Sequence, residues 1–494
     1  MTVQPQMVSL TSLASEVPGV RSVSAADIEV DDVTHDSRSA GPGVVFVAID
    51  GLTVDGHLFV ADAVAAGSPA VVVERPVDVD VPQIVVEDSR RALAHVASAV
   101  HGHPTRDLVM VGVTGTNGKT TVNAMCEAVM AAAGRPTGVI GTLGARIDGV
   151  PVPLKRTTPE SSDLQRLLAS MRDADVGTVF MEVSSHALDL HRADAIVFDV
   201  GAFTNLSQDH LDFHGTMEAY FEAKQQLFAD GRTNHAVVNI GDAAGIRLAT
   251  GLTMPTTTVG VGVDADVVLT ILSESEQGST FSIADGDRTL EVAMPLPGSF
   301  NTANAAVAYA ICRNLDVDSD VIVEGLQSLG PVAGRMQSID RDADVAVIVD
   351  YAHTPAAIET VLSSARRMTS GRVIAVIGAG GDRDHEKRPI MGRAAATHAD
   401  FIIVTTDNPR SEDPKDIVRD VALGLLAVPS SQFETVVDRG EAIAYAVNMA
   451  EPGDVVLILG RGHEPTQEVL GELLPFDDVE VARAALDGRG GSRS

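Results

Sequence analysis

A chain of 494 residues is too long for a single hydrophobic core and is expected to form two to four domains. Its 68 acids against 36 bases leave a formal net charge of −32, which argues against non-specific binding to nucleic acid or to an anionic membrane surface. No apolar run reaches the roughly 18 residues that a membrane span needs, so no membrane insertion is expected.

Met1 to Val20 has neither a basic start nor an apolar run of signal-peptide length, and a cytoplasmic location is expected. Strand-like runs follow at Val44–Ile49, Ala70–Val73 and Gln83–Val86, with a helical stretch over Leu58–Gly67. Between them lie polar turns, Asp36-Ser37-Arg38 and Asp55-Gly56-His57, which read equally as surface loops. His101 to Thr105 reads as a linker.

The most informative stretch comes next. Leu108–Val113 has the length and β-branching of a buried strand, and Val122–Ala133 is a good helix former. Gly115, Thr116, Asn117, Gly118, Lys119, Thr120 and Thr121 lie between them. Glycines there let backbone N–H groups approach a phosphate, and a helix N-terminus adds partial positive charge. Lys119 is placed for the outer phosphates of ATP, and Thr120 for Mg²⁺. The strict P-loop pattern wants a glycine where this chain has Val113. An incidental glycine turn is the alternative.

Thr178–Val183 is a second strand, with Glu182 near its carboxyl end, where such folds hold magnesium. Val197–Phe203 is a third. Asp209, His210, Asp212 and His214 follow it, a cluster that reads as metal ligands or as a solvated loop. Lys224 lies on the helix Met217–Phe228, where spacing alone suggests a solvated amine over a buried stem. Residues 254–296 read as a small antiparallel excursion. Asn301 and Asn304 sit one turn apart at the start of an alanine-rich helix, where capping accounts for one of them. Cys126 and Cys312 fall in predicted helices and read as buried thiols.

From about residue 332, strands predicted at Val345–Val349, Arg372–Ile377, Phe401–Thr405 and Val455–Leu459 alternate with helices. Each strand runs into a loop of reactive residues, as expected of a ligand edge in a Rossmann-like sheet. Gly378-Ala-Gly380 is too short for a dinucleotide fingerprint. The Gly/Arg/Ser-rich tail Asp487–Ser494 reads as disordered.

Taken together, Gly115-Thr-Asn-Gly-Lys-Thr-Thr121, Glu182-Val-Ser-Ser-His-Ala187, Tyr220-Phe-Glu-Ala-Lys224, Tyr351-Ala-His-Thr-Pro355 and Gly460-Arg-Gly-His-Glu464 resemble the Mur ligase family, along nearly the whole chain. Asp36-Ser-Arg and Asp55-Gly-His fit the same pattern. Within the family the match is to the ligases that add the third residue of the peptidoglycan stem peptide. The resemblance implies an α/β fold of three domains: a uridine-nucleotide domain over 1–103, a central ATPase over 104–331 and a Rossmann-like amino-acid domain over 332–494. A monomer is expected.

It also implies the chemistry. A carboxylate of UDP-N-acetylmuramoyl-dipeptide takes the γ-phosphate of ATP, and an amino acid then displaces phosphate from the acyl phosphate. Lys119, Glu182, His210 and Lys224 would be catalytic. One Mg²⁺ would sit on Thr120 and Glu182, and a second on His210 and Lys224, the lysine being carbamylated in this family. Asn301, Arg335 and Asp350 would frame ATP. Ser37, Thr53, Thr157, Thr158, Ser184 and Arg192 would contact the nucleotide-peptide. Asp407, Asn408, Pro409 and Arg410 resemble the form that takes meso-diaminopimelate, with Arg410 on the distal carboxylate and Arg383, Gly460 and Glu464 completing the pocket. Two positions depart from the common pattern, Leu190 where many relatives carry glutamine and Ala356 where an acid often follows the proline.

Other readings stay open at this level. L-lysine could replace diaminopimelate. A folylpolyglutamate synthetase would share the P-loop but not the Asp407–Arg410 loop together with the Asp-Ser-Arg patch. A regulatory P-loop ATPase would release phosphate without an amino acid. A non-enzymatic binding module leaves the P-loop and the metal-like cluster unexplained.

Overall fold

The computed structural model describes residues 7–24, 28–51, 53–339 and 344–491. By its contacts the chain divides into two compact units, one of Met1–Thr114, Gly134–Ala202 and Glu222–Ala236, the other of Gly115–Ala133, Phe203–Phe221 and Val237–Ser494.

The first unit opens with a five-stranded sheet, in the order Val20–Val23, Gln83–Val86, Val71–Val73, Val44–Val47 and Asp32–Thr34. The last four strands run parallel. Val33, Val45, Val47, Val72 and Val86 are buried beneath the helix Ser89–Val100, which supplies Leu93, Val96 and Val100 to the same core. The unit also holds the strands Thr137–Gly141, Thr178–Glu182 and Val109–Thr114, side by side and parallel. Every residue of Thr178–Glu182 is buried. A strand covered on both faces needs such an uninterrupted apolar run, which is why these strands were legible without alternation.

One ion cluster in this unit is a stability element. Asp194 accepts from Arg232 at 2.6 Å and pairs with the His191 imidazole at 2.8 Å. Burial alone would raise its carboxyl, but the His191 hydrogen bond and the Arg232 charge outweigh burial and hold the pKa at about 2. The folded-state value lies below the unfolded one, so the stabilisation is present in full above about pH 4 and is lost as pH falls toward 2. Asp194→Asn should cost about 1 kcal/mol at pH 7, solvent screening allowed for. It should also flatten the acid limb of a melting-temperature profile. An unchanged acid limb would contradict this assignment.

In the second unit, Val267–Ser275, Gly278–Asp285 and Arg288–Met294 form an antiparallel meander, the excursion expected over 254–296. A six-stranded sheet follows, ordered Gln337–Ser338, Ala346–Asp350, Val455–Leu459, Val373–Ile377, Phe401–Val404 and Phe433–Thr435. All but the first are parallel, so the loops after Asp350, Ile377, Val404 and Leu459 share one edge. Beneath that edge Arg439 and Asp478, both fully buried, form a two-point ion pair at 2.7 and 2.6 Å. Arg439 also donates to the carbonyls of Thr406 and Leu459, tying two strand ends together.

The tail departs from expectation. The helix Asp478–Gly491 runs through most of the segment read as disordered. Buried Arg489 anchors it by donating to the Val447 carbonyl at 2.8 Å. Residues 492–494 lie outside the described residues.

Candidate active site

The strand Val109–Thr114 ends in a loop whose glycines take backbone angles closed to most residues, φ +143° at Gly115 and +92° at Gly118. A Cβ at Gly115 would strike the Thr204 hydroxyl, and one at Gly118 the Asn304 amide. The loop is pinned from outside. Thr116 N–H donates to Asn205 O at 2.9 Å, Asn117 N–H to the Asn205 amide oxygen at 3.0 Å, and the Thr204 hydroxyl to Asn117 O at 2.6 Å. Lys119, first residue of the helix Lys119–Ala132, folds back so that Nζ donates to Gly115 O and Thr116 O, each at 2.9 Å. The ammonium is thereby held over the loop.

Beside this loop is a cavity of about 450 Å³, lined by Asn117, Gly118 and Thr121 and also by Asn301, Arg335 and Asp350. Thr120 lies next to these, its hydroxyl accepting from Arg335 at 3.1 Å. Burial raises the Asp350 carboxyl, while the Arg335 charge and the N–H groups of Met336 and Ala352, both at 2.8 Å, favour its ionised form. Asn301 is not a cap. Its amide donates to Pro297 O at 2.7 Å and accepts from Asn304 at 3.0 Å, while Gly298 stands at the cap position. Both asparagines line the cavity.

In the first unit, Glu182 is buried, and both its carboxylate oxygens accept from Thr142, from its N–H at 2.8 Å and its hydroxyl at 3.0 Å. The Thr157 hydroxyl lies 3.2 Å from the Thr142 hydroxyl. Thr158 donates to Glu182 O at 2.8 Å, and Ser184 caps the next short helix by accepting from Ala187 N–H. Arg192 is paired with Glu160 at 2.8 Å, on which Arg90 and Arg156 also converge. Thr157, Thr158, Ser184 and Arg192 thus form one neighbourhood. Ser37 begins a short 3-10 turn capped by Asp36, and Thr53 is exposed in a loop. Lys224 is 1% exposed, so its amine is buried and not the solvated head that spacing suggests.

Within the cluster after Phe203, His210 Nε2 lies 3.5 Å from Asp209 Oδ2. His214 packs against the rings of Phe213 and Tyr220 at 4.8 and 5.1 Å, and Asp212 is exposed. Among the described residues, no three His, Cys, Asp or Glu side chains are gathered as a metal-binding group. The expected donors, a threonine hydroxyl, one carboxylate and one imidazole, are few and mostly hard. They fit an ion such as Mg²⁺ that keeps waters and substrate phosphates as its other ligands.

The amino-acid loops lie on the edge of the six-stranded sheet. Asn408 donates to Glu464 at 2.7 Å and accepts from buried Arg461 at 2.8 Å. Burial raises the Glu464 carboxyl, and the negative charge of Asp407 raises it further. At Gly460 a Cβ would come 2.5 Å from Asp407 Oδ2. Pro409 is buried. Arg410 adopts φ +52°, its guanidinium donating to Gly381 O at 2.5 Å and lying 3.5 Å from Glu468. Arg383 is exposed. Two neighbouring loops of this edge thus present the carboxylates of Asp407 and Glu464 and the guanidinium of Arg410.

Family models match three segments, the catalytic domain of the Mur ligase family over 29–101, the Mur ligase middle domain over 113–312 and the Mur ligase glutamate ligase domain over 334–462. The UDP-N-acetylmuramoyl-L-alanyl-D-glutamate–2,6-diaminopimelate ligase of Geobacillus thermodenitrificans is 43% identical over 97% of this chain and 99% of its own. The chain belongs to the Mur ligase family. The ligase of the same description from Streptomyces coelicolor is 41% identical over 98% of both chains. A solved structure of a 2,6-diaminopimelate ligase aligns with this Mur ligase at a TM-score of 0.71 and 31% identity, covering 98% of this chain and 100% of that one. The MurF ligase of Thermotoga maritima shares the fold at a TM-score of 0.65 and 21% identity, covering 94% of this chain and 98% of that one.

In this Mur ligase more residues line the cavity than the sequence singled out. Asn205, Asn239 and Asp242 line it, Asn239 donating to Thr204 O and Asp242 accepting from Leu206 N–H. Each sits alone in an ordinary loop or strand end, and only the fold brings them beside the P-loop.

Proposed function

We propose that the chain joins meso-diaminopimelate to UDP-N-acetylmuramoyl-L-alanyl-D-glutamate with cleavage of ATP to ADP and phosphate, a step in building peptidoglycan. The observation that carries this reading is that one compact unit holds both a P-loop cavity and two neighbouring loops that present the carboxylates of Asp407 and Glu464 and the guanidinium of Arg410. An amino acid with a distal ammonium and a distal carboxylate matches that second feature. The family membership and the curated relatives at 43% and 41% identity support the same substrates.

Lys119 and the helix N-terminus behind it neutralise the transferring phosphoryl group. Asn301, Arg335 and Asp350 hold the nucleotide. Thr157, Thr158, Ser184 and Arg192, with Ser37 and Thr53 toward the uridine, hold the acceptor. An acceptor carboxylate oxygen bonds to the γ-phosphorus as the bond to ADP breaks. The amine nitrogen then adds to the acyl carbon, loses a proton, and phosphate leaves. Glu464 takes the distal ammonium, whose charge draws its raised carboxyl back to the ionised form, and Arg410 takes the distal carboxylate. Thr120, Glu182, His210 and carbamylated Lys224 are each a hard or borderline donor suited to Mg²⁺, which would supply charge neutralisation and alignment of oxygens. The functional division follows 1–103, 104–331 and 332–494. Among the described residues no helix is long and apolar enough to cross a membrane, and we place the enzyme in the cytoplasm as a monomer.

The acyl-phosphate route is tested with acceptor carrying heavy oxygen in its attacking carboxylate. One labelled atom should appear in the released phosphate. Unlabelled phosphate would overturn the route.

A further inference from the structure

Tyr351 has no part in the chemistry above, yet its side chain reaches both substrate regions of the second unit. Its ring lines the nucleotide cavity, with the Arg335 guanidinium 4.7 Å from the ring centroid. Arg335 in turn donates to the Thr120 hydroxyl. On the other side the Tyr351 hydroxyl lies 3.5 Å from Glu464 Oε1, positioned to donate. The rings of His353 and His463 flank it at 4.7 and 5.4 Å.

The backbone around it is equally constrained. Tyr351 N–H donates to Gly334 O at 2.9 Å. Gly462 has φ +57°, and a Cβ there would lie 2.9 Å from the Tyr351 Cβ. Three segments, Gly334-Arg335, Tyr351 and Gly462-His463-Glu464, thus meet with no room between them, and Tyr351 is the side chain common to all three. A guanidinium over an aromatic face and a hydroxyl on a carboxylate are both orienting contacts.

We propose that Tyr351 is a positioning residue that couples the nucleotide cavity to the amine-binding loop. Its ring fixes Arg335 toward the cavity, and its hydroxyl fixes Glu464 toward the distal ammonium. The hydroxyl half rests on the reading of Glu464 given above. Because one side chain orients both groups, nucleotide and amine each bind to a site that the other has helped to order, and any coupling of their affinities is reciprocal.

Two variants separate the halves. Y351F keeps the ring and should raise the KM for diaminopimelate about fivefold, with kcat within about twofold of wild type. Its ADP affinity, measured by calorimetry without amino acid, should not change. Y351L loses the ring as well and should also weaken ADP about fivefold. A merely structural role would lower melting temperature in both variants without splitting the two substrates. Unchanged kinetics in Y351F, or equal weakening of both ligands by it, overturns the coupling. If Y351L does not fold, the Y351F split decides alone. A wild-type chain inactive with diaminopimelate overturns the functional reading and the hydroxyl half together, whereas an active wild type with an unchanged Y351F overturns only the coupling.

Discussion

Lys119→Ala is expected to lower kcat on the order of a thousandfold while leaving the fold intact. The ammonium is held over the loop by two carbonyls, Gly115 O and Thr116 O. These contacts fix its charge at the phosphate loop. Preorganised charge of this kind is typically worth about two to three powers of ten in rate. Phosphoryl transfer leans on it more than most reactions, because positioning and electrostatics are nearly all that the protein supplies. The loop has other anchors, in Asn205 and Thr204, so its shape should survive the loss of the side chain. Steady-state kinetics beside a thermal melt checks this. A fall in kcat of less than about tenfold with an unchanged melt would remove Lys119 from its role.

The second large effect concerns the amine. Arg410→Ala should raise the KM for diaminopimelate on the order of 10- to 100-fold and leave the KM for ATP nearly unchanged. Arg410 N–H donates to Glu468 O at 3.0 Å, and its carbonyl accepts from Leu470 N–H at 2.6 Å, so the backbone is clamped to the hairpin Thr466–Val469 and Glu472–Pro475. A carboxylate that approaches this guanidinium finds it already oriented. It also finds Gly381 O and Glu468 as neighbours, which hold the fork until the ligand arrives. Arg410→Lys should not restore the KM, because an ammonium is a point charge without the planar fork. Competitive kinetics with both amino acids checks this, and a KM change below about threefold would argue against the clamp.

Much of this was legible in the chain because two signals are hard to disguise. Runs such as Val109–Thr114 and Val455–Leu459 are buried on both faces, and glycines with positive φ mark where backbone must approach a ligand. The role proposed for the Asp407–Arg410 loop came from its resemblance to the family's diaminopimelate form, not from any local pattern. The cavity wall was not legible, since Asn239 and Asp242 come from a strand end and a helix cap that carry no local sign of a nucleotide. Capping was read for one of Asn301 and Asn304 because both lie near a helix start, and nothing local shows that they bond to each other. The chain end was read as disordered from its glycines and arginines, but the helix is held by a buried Arg489 whose acceptor lies 42 residues away. Such long-range anchors leave no periodicity to read.

The central claim is most directly tested by ADP release from the purified chain with ATP, Mg²⁺ and UDP-N-acetylmuramoyl-L-alanyl-D-glutamate, with either meso-diaminopimelate or L-lysine as the amine. The account predicts sustained release with diaminopimelate and, for lysine, a kcat/KM lower on the order of a hundredfold or more, because lysine offers Arg410 no distal carboxylate. Equal or faster turnover with lysine, or release that needs no amine at all, would contradict it.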